Sequence, residues 1–236
     1  MGDFCFSQRG SSWFGFWLCA GMRTALKARN TMRASRIFRN PYLELFTKTS
    51  LLITMIHYPL VIAALLYFGV RNTFYSVSHM TLVAVGGFFF WTLFEYVMHR
   101  YLFHISDYIA GTERFQYVVH GVHHHHPREE ERVFMPPLPG LIIAAALLGI
   151  NYLLMGGNAW FFTAGMVAGY LLYAWIHYNV HLKPPHRIFR KWWKHHALHH
   201  FKYQDRAFGV SSPLWDIVFR TMPPKEGRHD DFHYLN

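Results

Sequence analysis

Charge is scarce in this sequence, and acidic charge is the scarcest. Only 15% of its 236 residues are Asp, Glu, Lys or Arg, with 13 acidic against 23 basic. A soluble domain carries about a quarter charged residues, so an ordinary solvated surface is excluded for much of the chain. Cysteine is nearly absent too. Cys5 and Cys19 both lie near the N-terminus; they fix no disulfide framework and form no C-x-x-C metal motif. The formal net charge is +10, which could suggest nucleic acid. The basic residues instead flank apolar stretches, which is the pattern of a membrane protein.

What is present is apolar length. No charged residue occurs from Thr49 to Val70 or from Asn72 to Phe94, and a longer uncharged stretch runs from Val133 to Leu182. A helix needs roughly 20 residues to cross a hydrocarbon core of about 30 Å. The long stretch suits two crossings, with "MGGN" (155–158) as the turn between them. Four helical spans are predicted, at roughly 49–70, 76–97, 138–155 and 159–178. They should be helices because backbone polar groups in lipid must be satisfied internally. The competing reading is a soluble helical bundle with an unusually apolar core. Runs of Lys and Arg precede the first span and follow the second and fourth, while Arg71 alone lies between the first two. Both termini are therefore expected on the cytoplasmic side.

Residues 1–40 read as a basic, amphipathic extension. "WFGFWLCAGM" (13–22) has the length of a signal-peptide core but lacks a basic segment before it; an interfacial anchor is the other reading, and Met22 or Met32 are alternative starts. The main domain is expected over 41–224, with a polar tail at 225–236.

Histidine is in excess, at 18 residues. Four groups fall on the basic side of the predicted membrane: "HRYLFH" (His99, His104), "HGVHH" (His120, His123, His124), "HYNVH" (His177, His181) and "HALHH" (His196, His199, His200). Spacings of three and four place side chains on one helix face; the five-residue gap from His99 to His104 requires the helix to end or bend. Topology inferred from charge alone brings all four groups to one side, so they can share a centre. Each group is expected to offer its imidazoles to a shared point. Neutral imidazole suits iron, zinc, copper and nickel. Ten imidazoles exceed what one metal takes, so two metals are expected. No carboxylate sits within these groups, which argues against calcium and magnesium. Glu95 lies one turn before His99 and is a candidate acceptor for a ligand's other ring nitrogen. Asp216, in "LWDIVF", is a second candidate, with helix capping as its alternative. His195, His125, His126 and His186 are not expected to bind metal. His57 and His79 read as packing or interfacial residues, and His229 and His233 as solvated.

With these residues in view, the chain resembles the fatty acid hydroxylase branch of the membrane-bound sterol desaturase superfamily, and in particular fatty acid 2-hydroxylases. The likeness covers roughly residues 85–224. The family's H-x4-H, H-x2-H-H, H-x3-H and H-x2-H-H pattern is met by the ten histidines. "LFEYVMHRYLFH" (93–104), "VFMPP" (133–137) and "FGVSSPLWDIVFRTMP" (208–223) extend it. The resemblance implies an all-helical membrane protein, with cytoplasmic helices over four spans holding two iron ions, whose positions zinc may take in purified protein. It implies O2-dependent hydroxylation of a fatty acyl chain, typically at C2 and often within a sphingolipid. Two departures stand out. Many members carry Asp where this chain has Ala174, which puts the choice of headgroup in doubt. Many also carry a fused cytochrome b5-type domain with an H-P-G-G haem motif, which this sequence lacks. Electrons are then expected from a separate cytochrome b5 or ferredoxin. The membrane is expected to be a bacterial inner membrane, with an ER membrane as the alternative. The competing functions are a superfamily oxygenase of a sterol, carotenoid or alkyl glycerol, and a non-enzymatic membrane metal-binding protein.

Overall fold

The computed structural model describes residues 36–183 and 187–224. The expectations for the N-terminal extension up to residue 35, for His186 and for the tail bearing His229 and His233 lie outside the described residues. Within them, every regular element is helical. Helix α1 (Pro41–Leu45) is capped by Asn40, whose side-chain oxygen accepts from the amides of Tyr42 and Leu43. Helices α2 (Leu51–Asn72) and α3 (Val77–Val97) both start at a serine, Ser50 and Ser76, whose hydroxyl accepts from the third helical amide. Helix α6 (Pro137–Met155) has proline at its first position, where no amide donor is needed. Between α3 and α6 lie α4 (Glu113–Gln116) and α5 (Val122–His125). Helix α7 (Ala159–Leu182) follows, then α8 (Arg190–Phe201) and α9 (Leu214–Val218).

Three helical segments are long and apolar enough to cross a membrane: Leu51–Asn72, Val77–Phe103 and Glu130–Leu182. Four spans were expected. The third segment, 53 residues long, holds both α6 and α7. They are broken by a 3-10 turn at Gly156–Asn158, where Gly156 takes a φ of +57°. Asn151 donates to Thr163 across that turn (3.0 Å), so the two helices lie side by side. Helix α7 runs to Leu182 rather than ending near 178, which keeps His177 and His181 on one helix.

Helix α7 is the central post, packed against α2, α3 and α6. Two glycines bring α7 and α3 to backbone contact. A Cβ on Gly165 would stand 1.9 Å from the Ala84 carbonyl, and one on Gly87 would stand 2.0 Å from that of Phe162. Small residues at such crossings are how membrane helices gain packing without a hydrophobic drive between them. Outward faces carry large apolar residues such as Leu60, Leu153 and Leu154.

The "REEER" stretch (128–132) looks solvated in sequence; Arg128, Glu130 and Glu131 are exposed, but the other two residues are not. Glu129 and Arg132 are buried. The Arg132 guanidinium donates to Glu44 (2.5 Å), Glu129 (3.3 Å) and Thr47 (2.9 Å), binding α1 to the segment before α6. Glu44 also accepts from the amides of Ile37 and Phe38. Two carboxylates, one guanidinium, one hydroxyl and two amides thus satisfy one another where sequence alone shows a charge run.

Candidate metal centre

His99 sits on a π-helical turn, Met98–Phe103, that continues α3, and His104 is the residue that ends that turn. Its i→i+5 pattern puts residues five apart one above the other, so His99 and His104 face the same way. A widened turn therefore does what was expected of a helix end or bend. A second π turn, Tyr117–Gly121, carries His120 into α5 with His123 and His124. Helix α5 stops at His126, before Pro127. Helix α7 supplies His177 and His181, and α8 supplies His196, His199 and His200.

The ten histidines form two groups of five. One is His99, His104, His120, His124 and His199; the other is His123, His177, His181, His196 and His200. Each sequence box was expected to serve a shared point. Instead two boxes are divided. Residues four apart stay together (His120 with His124, His196 with His200), while His123 and His199 cross to the opposite group. The three-residue step rotates the side chain far enough around the helix to face the other side. Within each group the candidate nitrogens all lie within 4.8 Å of one another.

The nitrogens fit a cation. A backbone carbonyl only accepts, so the ring nitrogen facing it carries the proton. Nδ1 of His99 donates to the Phe208 carbonyl (2.5 Å), Nδ1 of His199 to that of Arg206 (2.8 Å), and Nδ1 of His177 to that of Val133 (3.3 Å). In the neutral rings, Nε2 of these three is then a bare lone pair. In the first group, the Nε2 atoms of His99, His120, His124 and His199 form a chain with steps of 3.0, 3.0 and 3.2 Å. Only His120 and His124 can carry a proton there, and two protons cannot satisfy three contacts. A shared positive ion removes the conflict. The second group repeats the pattern, with Nε2 separations of 2.8 to 3.1 Å. Nitrogens about 2.1 Å from a metal stand about 3.0 Å apart at right angles and about 3.4 Å apart in a tetrahedron. The observed spacings match the right-angled set.

The rings outside the membrane segments favour the neutral state that metal binding needs. Burial, followed by the neighbouring imidazoles, holds His120, His123, His196, His199 and His200 well below the usual histidine range. The same causes bring His124 to about 3. His104 is lowered by burial, with Asp107 opposing.

Neither candidate carboxylate accepts from any of the ten clustered histidines. Glu95 accepts from the amides of Val210 (2.7 Å) and Ser211 (2.8 Å) and from the Ser211 hydroxyl. Asp216 accepts from the amides of Phe208 and Gly209 (2.9 Å each), from the Thr221 hydroxyl (2.7 Å), and from His195 Nε2 (3.0 Å). His195 thus turns away from both groups and onto Asp216. The direct acceptors are the backbone carbonyls of Arg206, Phe208 and Val133, which no residue letter announces. His125 packs near Tyr117. His79 pairs with Asn158 (2.7 Å), and His57 packs edge-on against Tyr58.

A cavity of about 460 Å³ opens beside the groups. His99, His120, His123 and His177 form part of its wall, so it touches both groups. Leu147, Met166 and Val167 line it between the membrane-length helices.

Residues 83–221 match the family described as fatty acid hydroxylase. The chain belongs to the fatty acid hydroxylase family. It is 37% identical over 150 residues to a dihydroceramide fatty acyl 2-hydroxylase of Arabidopsis thaliana, covering 63% of each chain. It is 33% identical over 219 residues to a fatty acid 2-hydroxylase of Mus musculus, covering 82% of this chain and 58% of that one. The chain therefore spans about six-tenths of the length of these relatives. Its fold is similar to the solved structure of full-length Scs7p, in which only the hydroxylase domain is visible. The TM-score is 0.72 at 30% identity, over 80% of this chain and 72% of that one.

The matched fatty acid hydroxylase region holds all ten clustered histidines, Glu95 and Asp216. Helix α1 and its Glu44 lie outside it, yet Phe46 and Thr47, just after α1, join the cavity wall. Ala174 is fully buried, in one cluster with Val133 and Phe134.

Proposed function

We propose that this chain is an O2-dependent two-iron hydroxylase of lipid acyl chains, acting at C2 and on acyl groups carried by sphingolipids. The observation that carries the proposal is the pair of five-histidine groups opening on one apolar cavity. The first group would hold one ion through His99, His104, His120, His124 and His199. The second would hold the other through His123, His177, His181, His196 and His200. Each set of five histidines would hold its ion and leave room for a non-protein ligand, and zinc would fit the same positions in purified protein. When bound, the irons supply the oxidising power: with O2, two electrons and two protons, one C–H becomes C–OH and one water is released. The electrons come from a separate donor such as a cytochrome b5 or a ferredoxin.

The protein's part is placement. Leu147, Met166 and Val167 would hold the apolar tail and keep water out. The four wall histidines would set the reacting carbon beside the ions. The reading includes four crossings, with α6 and α7 as a pair, and both termini and the histidine groups on the cytoplasmic side of a bacterial inner membrane or an ER membrane. Relatives named as dihydroceramide and fatty acid 2-hydroxylases support the substrate class.

Mass spectrometry of lipids from cells expressing the chain with a reductase partner tests it. A hydroxyl added at acyl C2 is expected. A modified sterol, carotenoid or alkyl glycerol, or no modified lipid from metal-loaded protein, overturns it.

A further inference from the structure

The two histidine groups are not supported equally. In the first, the Nδ1 protons of His99 and His199 are taken by the carbonyls of Phe208 and Arg206. These carbonyls lie two residues apart on one backbone segment. The intervening Ala207 is fully buried, has a φ of +58°, and donates its amide to the Thr221 carbonyl (2.9 Å). A non-glycine residue in that region persists only where its surroundings hold it. They do here: the next four amides, from Phe208 to Ser211, are all accepted by two carboxylates. Asp216 takes the first two and Glu95 the second two. Asp216 is fully buried and Glu95 is 5% exposed. In the second group, only His177 has a carbonyl partner, at the longer 3.3 Å. Nδ1 of His123, His196 and His200 is buried without one, whereas in the first group this holds for Nδ1 of His124 alone.

We propose that Glu95 and Asp216 are positioning residues that hold segment 206–211 as a rigid shelf of carbonyls, making the first group the tighter of two unequal metal positions. This rests on the two-metal reading above. A carbonyl on the far nitrogen fixes the tautomer and ring orientation and raises the basicity of Nε2, and such partners change metal affinity by roughly 10–100-fold. Glu95 stands on the helix that carries His99, and Asp216 stands beyond the segment. Together they tie His99, on the continuation of α3, and His199, on α8, to one backbone.

The test is chelator competition on the full-length, zinc-loaded protein, following metal release rather than turnover. Wild type is expected to release zinc in two phases. His200→Ala should remove the weaker phase, assigning the tighter one to the first group. Glu95→Gln and Asp216→Asn should each weaken the tight phase, by up to the roughly 10–100-fold that losing a direct partner of a ligand costs, and leave the weak phase in place. Ser211→Ala removes a single hydroxyl from Glu95, and should shift the tight phase alone, by less. It serves if either carboxylate variant fails to fold. Release of both ions in a single phase from wild type, or equal shifts of both phases in the variants, overturns the proposal. Wild type that takes up no zinc sinks the two-metal reading instead.

Discussion

The two histidine groups are built from the same residue type and similar spacings, yet they rest on different foundations. The first leans on a backbone segment whose amides are clamped by two buried carboxylates. The second leans mainly on the helices themselves: two i,i+4 pairs from α7 and α8, joined by His123 from α5. The difference shows that the histidine boxes are not the sites. Each group takes its pairs from residues four or five apart and completes itself with a residue from a third box. Separation by three or by four along a helix decides which side of the centre a ring serves.

The largest effect should come from removing one nitrogen from each group. His199→Ala should lose the ion of the first group and keep that of the second. His200→Ala should do the reverse. Both should abolish hydroxylation, because the proposed chemistry needs both ions. Metal analysis of purified protein checks the first claim and lipid mass spectrometry the second. A His199→Ala protein that loses both ions would mean the ten histidines act as one indivisible site.

A smaller effect should reach the second group from its other flank. Arg132 precedes Val133, whose carbonyl accepts from His177. Its guanidinium is buried between Glu44 and Glu129. Removing one partner of such a buried ionic set costs about 3–5 kcal/mol, because the charges left behind are unpaired. Arg132→Ala should therefore lower thermal stability strongly and weaken the second group's ion, with the tight phase of metal release retained. Thermal unfolding in detergent and chelator competition measure the two parts. Unchanged stability would show that the Glu44–Arg132–Glu129 network does not hold α1 in place.

Much of this arrangement could be read from the letters, and some of it could not. The membrane-length helices were legible because a run such as Thr49–Val70 holds no charge. The ten histidines were legible because their spacings repeat. Their division was not, because it depends on how α5 and α8 are rotated against α7, which is set by packing between segments distant in sequence. The supports of His99, His199 and His177 were invisible for another reason. They are carbonyls, and every residue has one. Glu95 was expected, from its place one turn before His99, to accept from a histidine ring, but its partners are amides and a hydroxyl more than a hundred residues away. "REEER" is solvated at three of its five residues, but the burial of Glu129 and Arg132 shows only once Glu44 and Thr47 are placed against Arg132. The π turn at Met98–Phe103 explains a five-residue spacing that an α-helix would have spoiled.

The gentlest probe of the comparison is Tyr58→Phe. The Tyr58 hydroxyl donates to the Met135 carbonyl (3.1 Å), and the Tyr170 hydroxyl accepts from the Met135 amide (3.0 Å). Two tyrosines from two membrane-length helices thus pin the residue two positions after Val133. Losing one hydroxyl should cost about 0.5–1.5 kcal/mol, the ordinary net worth of one hydrogen bond. Because Tyr170 still holds Met135, the Val133 carbonyl should shift little. A small fall in unfolding temperature is expected, with a slight weakening of the second group's ion and no change in the first. If the first group's ion weakened as much, the two groups would be coupled through the helices rather than supported separately, and the carbonyl shelf at 206–211 would no longer account for their difference.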